Sequence, residues 1–369
     1  MKNELRFFYV ARINMIVKLS VAVMAFVIGL NMTAATSWAS WAGVQTFEAT
    51  VIPLELEHGV HVQKVHFPNK DITLVGNLFT PSNFNPSEMY PAIVITHPNG
   101  GVKEQTAGLY AQRLAERGFI TLAFDASYQG ESGGTPRFLE DPFSRVEDIR
   151  CATDFLSNLP HVRTIGALGT CAGGGHTVSA AQTDVRLKAV ATVSAVDSGR
   201  ARREGMGGMA IDPQMLNERR IGTLEEVAQQ RTIDAAGGDL RYIGGYVANS
   251  LDELPPGASG MWVEAYEYYR TPRAMHPRSQ NLMLFTSQDR MIAYTAMAYV
   301  DWISPRPLLL IAGNNAVETF HFSQDAYDMA KEPKELFIIE GASHVDLYDK
   351  DEYLPTVVDK LANFFGETL

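Results

Sequence analysis

The 369-residue chain predicts an α/β protein with a mostly parallel central sheet flanked by helices. Three observations carry that prediction. From Pro91 to Ser194 apolar strands alternate with helical segments, an order that implies a parallel sheet covered by helices. The alternation stops near Asp197 and resumes with the apolar strand Pro307–Ala312, so a single sheet is interrupted by an insertion. Within the first block, residues 165–176 read as an apolar strand, a sharp turn flanked by glycines, and the start of a helix.

The elements follow in order. Val60–Phe67 and Ile72–Phe79 are expected as an opening hairpin across the turn residues Pro68-Asn69-Lys70-Asp71. Strands are then expected at Ala92–Thr96, Phe119–Phe124, Ile165–Leu168 and Ala189–Ser194, with helices over Gln105–Arg117, Ser144–Asn158 and after the glycine-flanked turn. The insertion, about residues 200–303, has mostly helical character. Thr223-Leu224-Glu225-Glu226 reads as a capping box opening a helix that runs to about Ala236 and stops at Gly237-Gly238. Pro255-Pro256-Gly257 is a turn, Met261–Arg270 a helix carrying Trp262, Tyr266, Tyr268 and Tyr269, and a further helix surrounds Tyr294 and Tyr299. An insertion of this size at the carboxyl edge of a sheet would act as a helical cap, its aromatics either packing on the body or lining a pocket. The strand Glu335–Ile339, the loop Glu340–His344 and a helix over Tyr353–Phe365 close the chain.

Composition bounds the function. With 46% hydrophobic and 20% charged residues the chain is globular. A formal charge of −11 excludes nucleic acid as a partner, since phosphate recognition needs a basic face and Arg200, Arg202 and Arg203 form only a short local group. Lys18 precedes the apolar run Leu19–Leu30, and Ser37-Trp38-Ala39 and Ser40-Trp41-Ala42 offer cleavage sites, so residues 1–39 read as an export signal. That run is short against the roughly 20 residues that span a bilayer, and no stable membrane span is expected after signal removal. Met15 offers an alternative start. The mature domain, residues 40–369, is then periplasmic or secreted; nothing in the chain speaks to its oligomeric state.

Export gives the two cysteines weight, because a Cys151–Cys171 disulfide would abolish a free thiol. The spacing of Ile149, Ala152, Thr153 and Leu156 around Cys151 marks a buried helix face, so Cys151 is expected as core filler and Cys171 as free.

Gly169-x-Cys171-x-Gly173 has the form of a nucleophile elbow with cysteine in the serine position: a nucleophile on a strained strand-to-helix turn needs neighbours without side chains. The following helix would aim free N–H groups at the sulfur and favour the thiolate. A phosphate-binding loop fails for want of lysine, since Gly175, His176 and Thr177 stand where Lys-Ser or Lys-Thr is required, and no Gly-x-Gly-x-x-Gly is present. The remaining alternative is a buried cysteine without chemistry. His344, directly after the final strand, is placed to be the general base, whereas His176, on the helix leaving the turn, is expected to point into packing. The acid orienting it is expected to be Glu318, with Asp325 and Asp346 as alternatives. One oxyanion donor is the N–H of Ala172. The second must come from Asn99 or Gly100, because Pro98 has no N–H, and His97 serves either the pocket or the loop.

The order Cys171, Glu318, His344, the loop His97–Gly101 and the segment Asp125–Gly134 together resemble the α/β-hydrolase superfamily. Within it the chain is similar to dienelactone hydrolase-like enzymes, which also use cysteine, and to the bacterial hydrolases related to them; Val102–Thr106 and Ala123–Gly130 carry the closer likeness. The resemblance covers about residues 60–369 and implies an α/β-hydrolase fold with a helical cap. It departs from the family in the acid, usually Asp, and in the export signal. What it implies is a hydrolase cleaving a small-molecule ester, lactone or thioester through an acyl-enzyme on Cys171, with no metal or organic cofactor. An acyltransferase on the same scaffold, a peptidase and a non-catalytic ligand-binding homologue are the alternatives.

Overall fold

The computed structural model describes residues 54–55, 59–207, 212–254, 258 and 260–369. The expected export signal and the turn Pro255-Pro256-Gly257 lie outside the described residues. In chain order the elements are β1 (Leu54–Glu55), β2 (His61–Asn69), β3 (Ile72–Thr80), β4 (Tyr90–Thr96), α1 (Thr106–Ala115), β5 (Ile120–Asp125), α2 (Pro142–Ser157), β6 (Val162–Thr170), α3 (Ala172–Ala181) and β7 (Leu187–Val193). Next come α4 (Ser198–Glu204), α5 (Pro213–Ala235), β8 (Tyr242–Gly244), α6 (Met261–Arg270), β9 (Leu282–Leu284) and α7 (Ser287–Ala293). The chain ends with β10 (Leu308–Gly313), α8 (Phe320–Met329), β11 (Lys334–Ile339), α9 (Asp346–Asp349) and α10 (Leu354–Thr368).

The main sheet has the order β1-β2-β3-β5-β4-β6-β7-β10-β11. The expected opening hairpin pairs antiparallel from His61↔Thr80 to Asn69↔Ile72, and β3 joins β5 antiparallel. Every pairing from β5 to β11 is parallel. Side chains alternate across the sheet: Ala92 and Val94 of β4 enter one apolar cluster with α2, α3 and α8, while Ile93 and Ile95 enter the other with α1 and α10. Burial on both faces is why these strands read as continuous apolar runs.

Between β7 and β10 the chain leaves the sheet and forms α4 to α7 and the antiparallel pair β8–β9. Here two expectations are corrected. No helix surrounds Tyr294 and Tyr299: α7 ends at Ala293, Ala296 N donates to Asp197 Oδ2 at 2.9 Å rather than to a helical carbonyl, and residues 300–303 form only a 3-10 turn. Thr223 does not open a helix; it lies inside α5, which begins ten residues earlier with Asp212 accepting from Gln214 N and Pro213 in the first turn. Asp212-Pro213 supplies a start as good as the capping box, and Gln214–Ile221 carries mostly good helix formers, so one helix absorbs both despite Gly222. The stop at Gly237, with φ 80°, is where the sequence places it.

The strand order reverses at β5-β4-β6, which makes the carboxyl ends of β4 and β6 the place where a ligand crevice opens in such sheets. The loops there are tied down by a buried ion cluster. Lys103, fully buried, places Nζ 2.8 Å from Asp125 Oδ2, 2.6 Å from Glu131 Oε2 and 2.8 Å from Glu104 Oε1. Asp125 also accepts from the N–H groups of Lys103 and Glu131, both at 2.8 Å, so one carboxylate joins the loop after β4 to the loop after β5. A Cβ at Gly130 would lie 2.2 Å from that carboxylate, which explains a glycine at this point. Lys103→Met should therefore leave Asp125 buried without its cation and destabilise the fold by about 3–5 kcal/mol in urea denaturation. A loss below about 1 kcal/mol would show that the cluster does not hold these loops.

Candidate active site

Cys171 sits between β6 and α3 with φ 53° and ψ −128°, a conformation L-residues rarely adopt. Its backbone is pinned on three sides: its N–H donates to Val193 O at 3.1 Å, and its carbonyl accepts from Gly174 N and Val196 N, both at 2.9 Å. The glycines are required by contact. A Cβ at Gly169 would stand 2.3 Å from Gly173 O, and one at Gly173 would stand 2.6 Å from the carbonyls of Thr96 and His97. Both cysteines are free. Cys151 packs against the core from α2, and burial pushes its thiol up to about 12.

The Cys171 thiol opens on a cavity of about 400 Å³. The body contributes Asn99, Ala172, His344 and Tyr348; the inserted segment contributes Arg202, Tyr246, Trp262 and Tyr269. Of the aromatics on α6, Trp262 and Tyr269 line the cavity, while Tyr268 packs with Val345 and Tyr348 in a small cluster against Cys171.

His344 follows β11 and is buried, its carbonyl accepting from Ser194 Oγ at 3.1 Å. Its ring lies between two hydroxyls, with Nδ1 2.7 Å from Thr319 Oγ1 and Nε2 3.0 Å from Tyr348 Oη. Burial lowers the imidazole to about 4. None of the three carboxylates expected to orient it is among those contacts. Glu318 turns its carboxylate toward Gly260, where an added Cβ would lie 2.5 Å from Oε1. Asp325 pairs with Arg200 at 2.8 Å. Asp346 accepts from Ser343 N at 3.0 Å and pairs with Lys350. The physical reason is the start of α8: its N-cap is Thr319, whose hydroxyl makes no capping bond and is available to His344. Adjacent residues at a helix start point in different directions, and the bond falls to 319 instead of 318.

The loop after β4 is organised by His97. Nε2 accepts from Ala126 N at 3.2 Å, which leaves Nδ1 to donate to Pro98 O at 2.7 Å. This neutral ring, lowered to about 3 by burial and the nearby Arg145, is a loop support. Gly100 has φ 72° beneath Tyr246, and its carbonyl accepts from Ser279 Oγ at 2.7 Å. The backbone N–H groups of Asn99, Gly100 and Ala172 have no backbone acceptor among the described residues. His176 is buried in packing beside Tyr294, as its position on the outgoing helix suggested. Among the described residues no group of three or more His, Cys, Asp or Glu side chains is placed to hold a metal ion.

Tyr348, which the sequence reading missed, is the one site residue the spacing offered. It stands four residues after His344, on the short helix α9 into which the loop carrying His344 leads.

The helix end was expected to favour a thiolate, and burial outweighs it. Desolvation raises the Cys171 thiol above its ordinary value despite the Ala172 N–H, the Tyr348 hydroxyl and Arg145. Alkylation of Cys171 by iodoacetamide, followed on its peptide by mass spectrometry, should accelerate only as pH rises through and beyond the ordinary cysteine range. Full reactivity persisting down to about pH 4, the mark of a thiolate–imidazolium pair, would contradict this.

With this geometry in view, the comparisons with known proteins are consistent. Residues 76–196 match the Dienelactone hydrolase family. The uncharacterised protein PA2218 of Pseudomonas aeruginosa is 44% identical over 316 residues, spanning 84% of this chain and 81% of its own. Its crystal structure superposes with a TM-score of 0.77 at 42% identity, covering 88% of this chain and 98% of that one. The uncharacterised protein YcjY of Escherichia coli is 41% identical over 314 residues, 83% of this chain and 99% of its own. A thiohydrolase of Eupenicillium brefeldianum is 26% identical over 300 residues, 79% of this chain and 90% of its own. The parallel sheet, the strained strand-to-helix turn and these relatives together place the chain in the dienelactone hydrolase family of α/β-hydrolases.

Proposed function

We propose that this hydrolase cleaves a carboxylic ester, lactone or thioester through an acyl-enzyme on Cys171, with His344 as general base. The observation that carries the reading is the placement of Cys171: a strained turn presents it to a cavity that His344 and Ala172 also line. A carbonyl entering there would meet the sulfur with its carbon. Its oxygen would fall to the N–H groups of Ala172 and of Asn99 or Gly100, donors of a kind each worth roughly 10²–10³ in rate. Thr319 holds the imidazole, a role the sequence had suggested for Glu318. Because Thr319 is neutral, the imidazolium formed in the reaction gains no partner charge from it, and protonation of His344 is transient.

The segment 200–303 acts as a cap in this reading, supplying Tyr246, Trp262 and Tyr269 to an apolar chamber suited to the acyl group. The likeness to a thiohydrolase supports including thioesters among the substrates. The N-terminal run Leu19–Leu30 supports export.

A panel of p-nitrophenyl esters, lactones and thioesters tests the proposal on wild type and three variants. Cys171→Ala should lower turnover roughly 10³-fold or more on every substrate the wild type accepts. Thr319→Val should lower kcat roughly 10- to 100-fold through a misplaced ring, while Glu318→Gln stays within a few-fold. Equal turnover by wild type and Cys171→Ala would sink the mechanism; a large loss in Glu318→Gln with none in Thr319→Val would return the orienting role to the carboxylate.

A further inference from the structure

Among the described residues the His344 ring is hydrogen-bonded to Thr319 and Tyr348 and makes no hydrogen bond to Cys171. His344 Nε2 is bonded to the Tyr348 hydroxyl at 3.0 Å, and the Cys171 side chain packs against the cluster of Tyr268, Tyr269, Val345 and Tyr348, with Cys171, His344 and Tyr348 lining one cavity. Tyr348 is buried and cannot easily withdraw: its ring packs edge-on against Tyr268 at 5.1 Å and Tyr269 at 6.5 Å, on α6 of the inserted segment. Its own backbone is fixed as well, its N–H donating to Val345 O at 3.0 Å and its carbonyl accepting from Thr106 Oγ1 at 3.3 Å.

We propose that Tyr348 is a catalytic residue that relays the proton between the Cys171 thiol and His344 Nε2. The proposal rests on Cys171 as nucleophile and His344 as base. When Nδ1–H of His344 donates to Thr319 Oγ1, Nε2 accepts the Tyr348 O–H, and the tyrosine oxygen is left to accept the thiol proton. As the sulfur forms its bond to the substrate carbonyl carbon, the C=O π pair moves onto oxygen. The thiol proton passes to Tyr348 Oη, and the tyrosine proton passes to Nε2. The tyrosine stays neutral and the imidazole becomes imidazolium. Collapse restores the C=O bond and breaks the bond to the leaving oxygen or sulfur, and the proton returns along the same path to that atom. Water then attacks the thioester with the same two-proton exchange and releases the acid and the thiol.

A relay of this kind suits the resting charges. Burial holds the thiol protonated and the imidazole neutral, so the proton must move during attack and a hydroxyl able to give and accept at once lowers that barrier. It also gives the insertion a part in the chemistry, since Tyr268 and Tyr269 set where the relay oxygen stands.

The test is the pre-steady-state burst of p-nitrophenolate from p-nitrophenyl butyrate, measured by stopped flow on the full chain in mixtures of H₂O and D₂O. Wild type should show a bowed proton inventory, with two exchangeable protons in flight during acylation. Tyr348→Phe keeps the ring contacts; its burst rate should fall roughly 100-fold with KM within a few-fold, and its inventory should become linear. A linear inventory in wild type, or a Tyr348→Phe burst within about 3-fold of wild type, would overturn the relay while leaving the acyl-enzyme intact. The wild-type inventory decides the matter even if the variant fails to fold. Absence of any burst or acyl adduct in wild type would remove the acyl-enzyme reading and the relay with it.

Discussion

The structure turns on the backbone of Cys171. Its positive φ costs of order 1–3 kcal/mol and persists because the surrounding framework over-determines it. Val193 and Val196 hold its N–H and carbonyl from the β7 side, while Gly169 and Gly173 let the start of α3 press against β6 and against the carbonyls after β4. The sulfur is thereby held above the sheet at the strand-order reversal, where the loops after β4 and β11 converge. Relax that turn and the thiol, the Ala172 N–H and His344 no longer share a point.

Around this fixed sulfur the chemistry is arranged by burial rather than by charge. His344 meets hydroxyls on both sides where an acid was expected on one, and no carboxylate among the described residues is hydrogen-bonded to its ring. Burial favours the uncharged form of each member, so thiol and imidazole rest as a neutral pair. The same logic holds for His97, whose neutral ring joins two loops without bringing a charge near the cavity. Where ionised groups are buried, as in the Lys103 cluster, they are paired and serve to anchor loops.

Much of this was legible in the sequence. The sheet strands fell within a few residues of their places because burial on both faces leaves runs that little else explains, and the glycines around Cys171 announced a close backbone approach. Local signals failed where two competed: Asp212-Pro213 and Thr223–Glu226 are both good helix starts, and only packing of the whole of α5 decides between them. Sequence also located the loop that faces His344 but not the side chain, because Glu318 and Thr319 are neighbours that diverge in direction. Tyr348 lay four residues beyond a histidine already singled out; what hid it was that a lone tyrosine ordinarily signals packing, which it also does here.

The central claim is that Cys171 carries the acyl group during turnover. Rapid acid quench of the enzyme mixed with a p-nitrophenyl ester, followed by intact and peptide mass spectrometry, tests it most directly. One acyl group added to the peptide bearing Cys171, forming and decaying at rates compatible with turnover, is the predicted result. Turnover that proceeds with no adduct, or with the adduct on another residue, would contradict it.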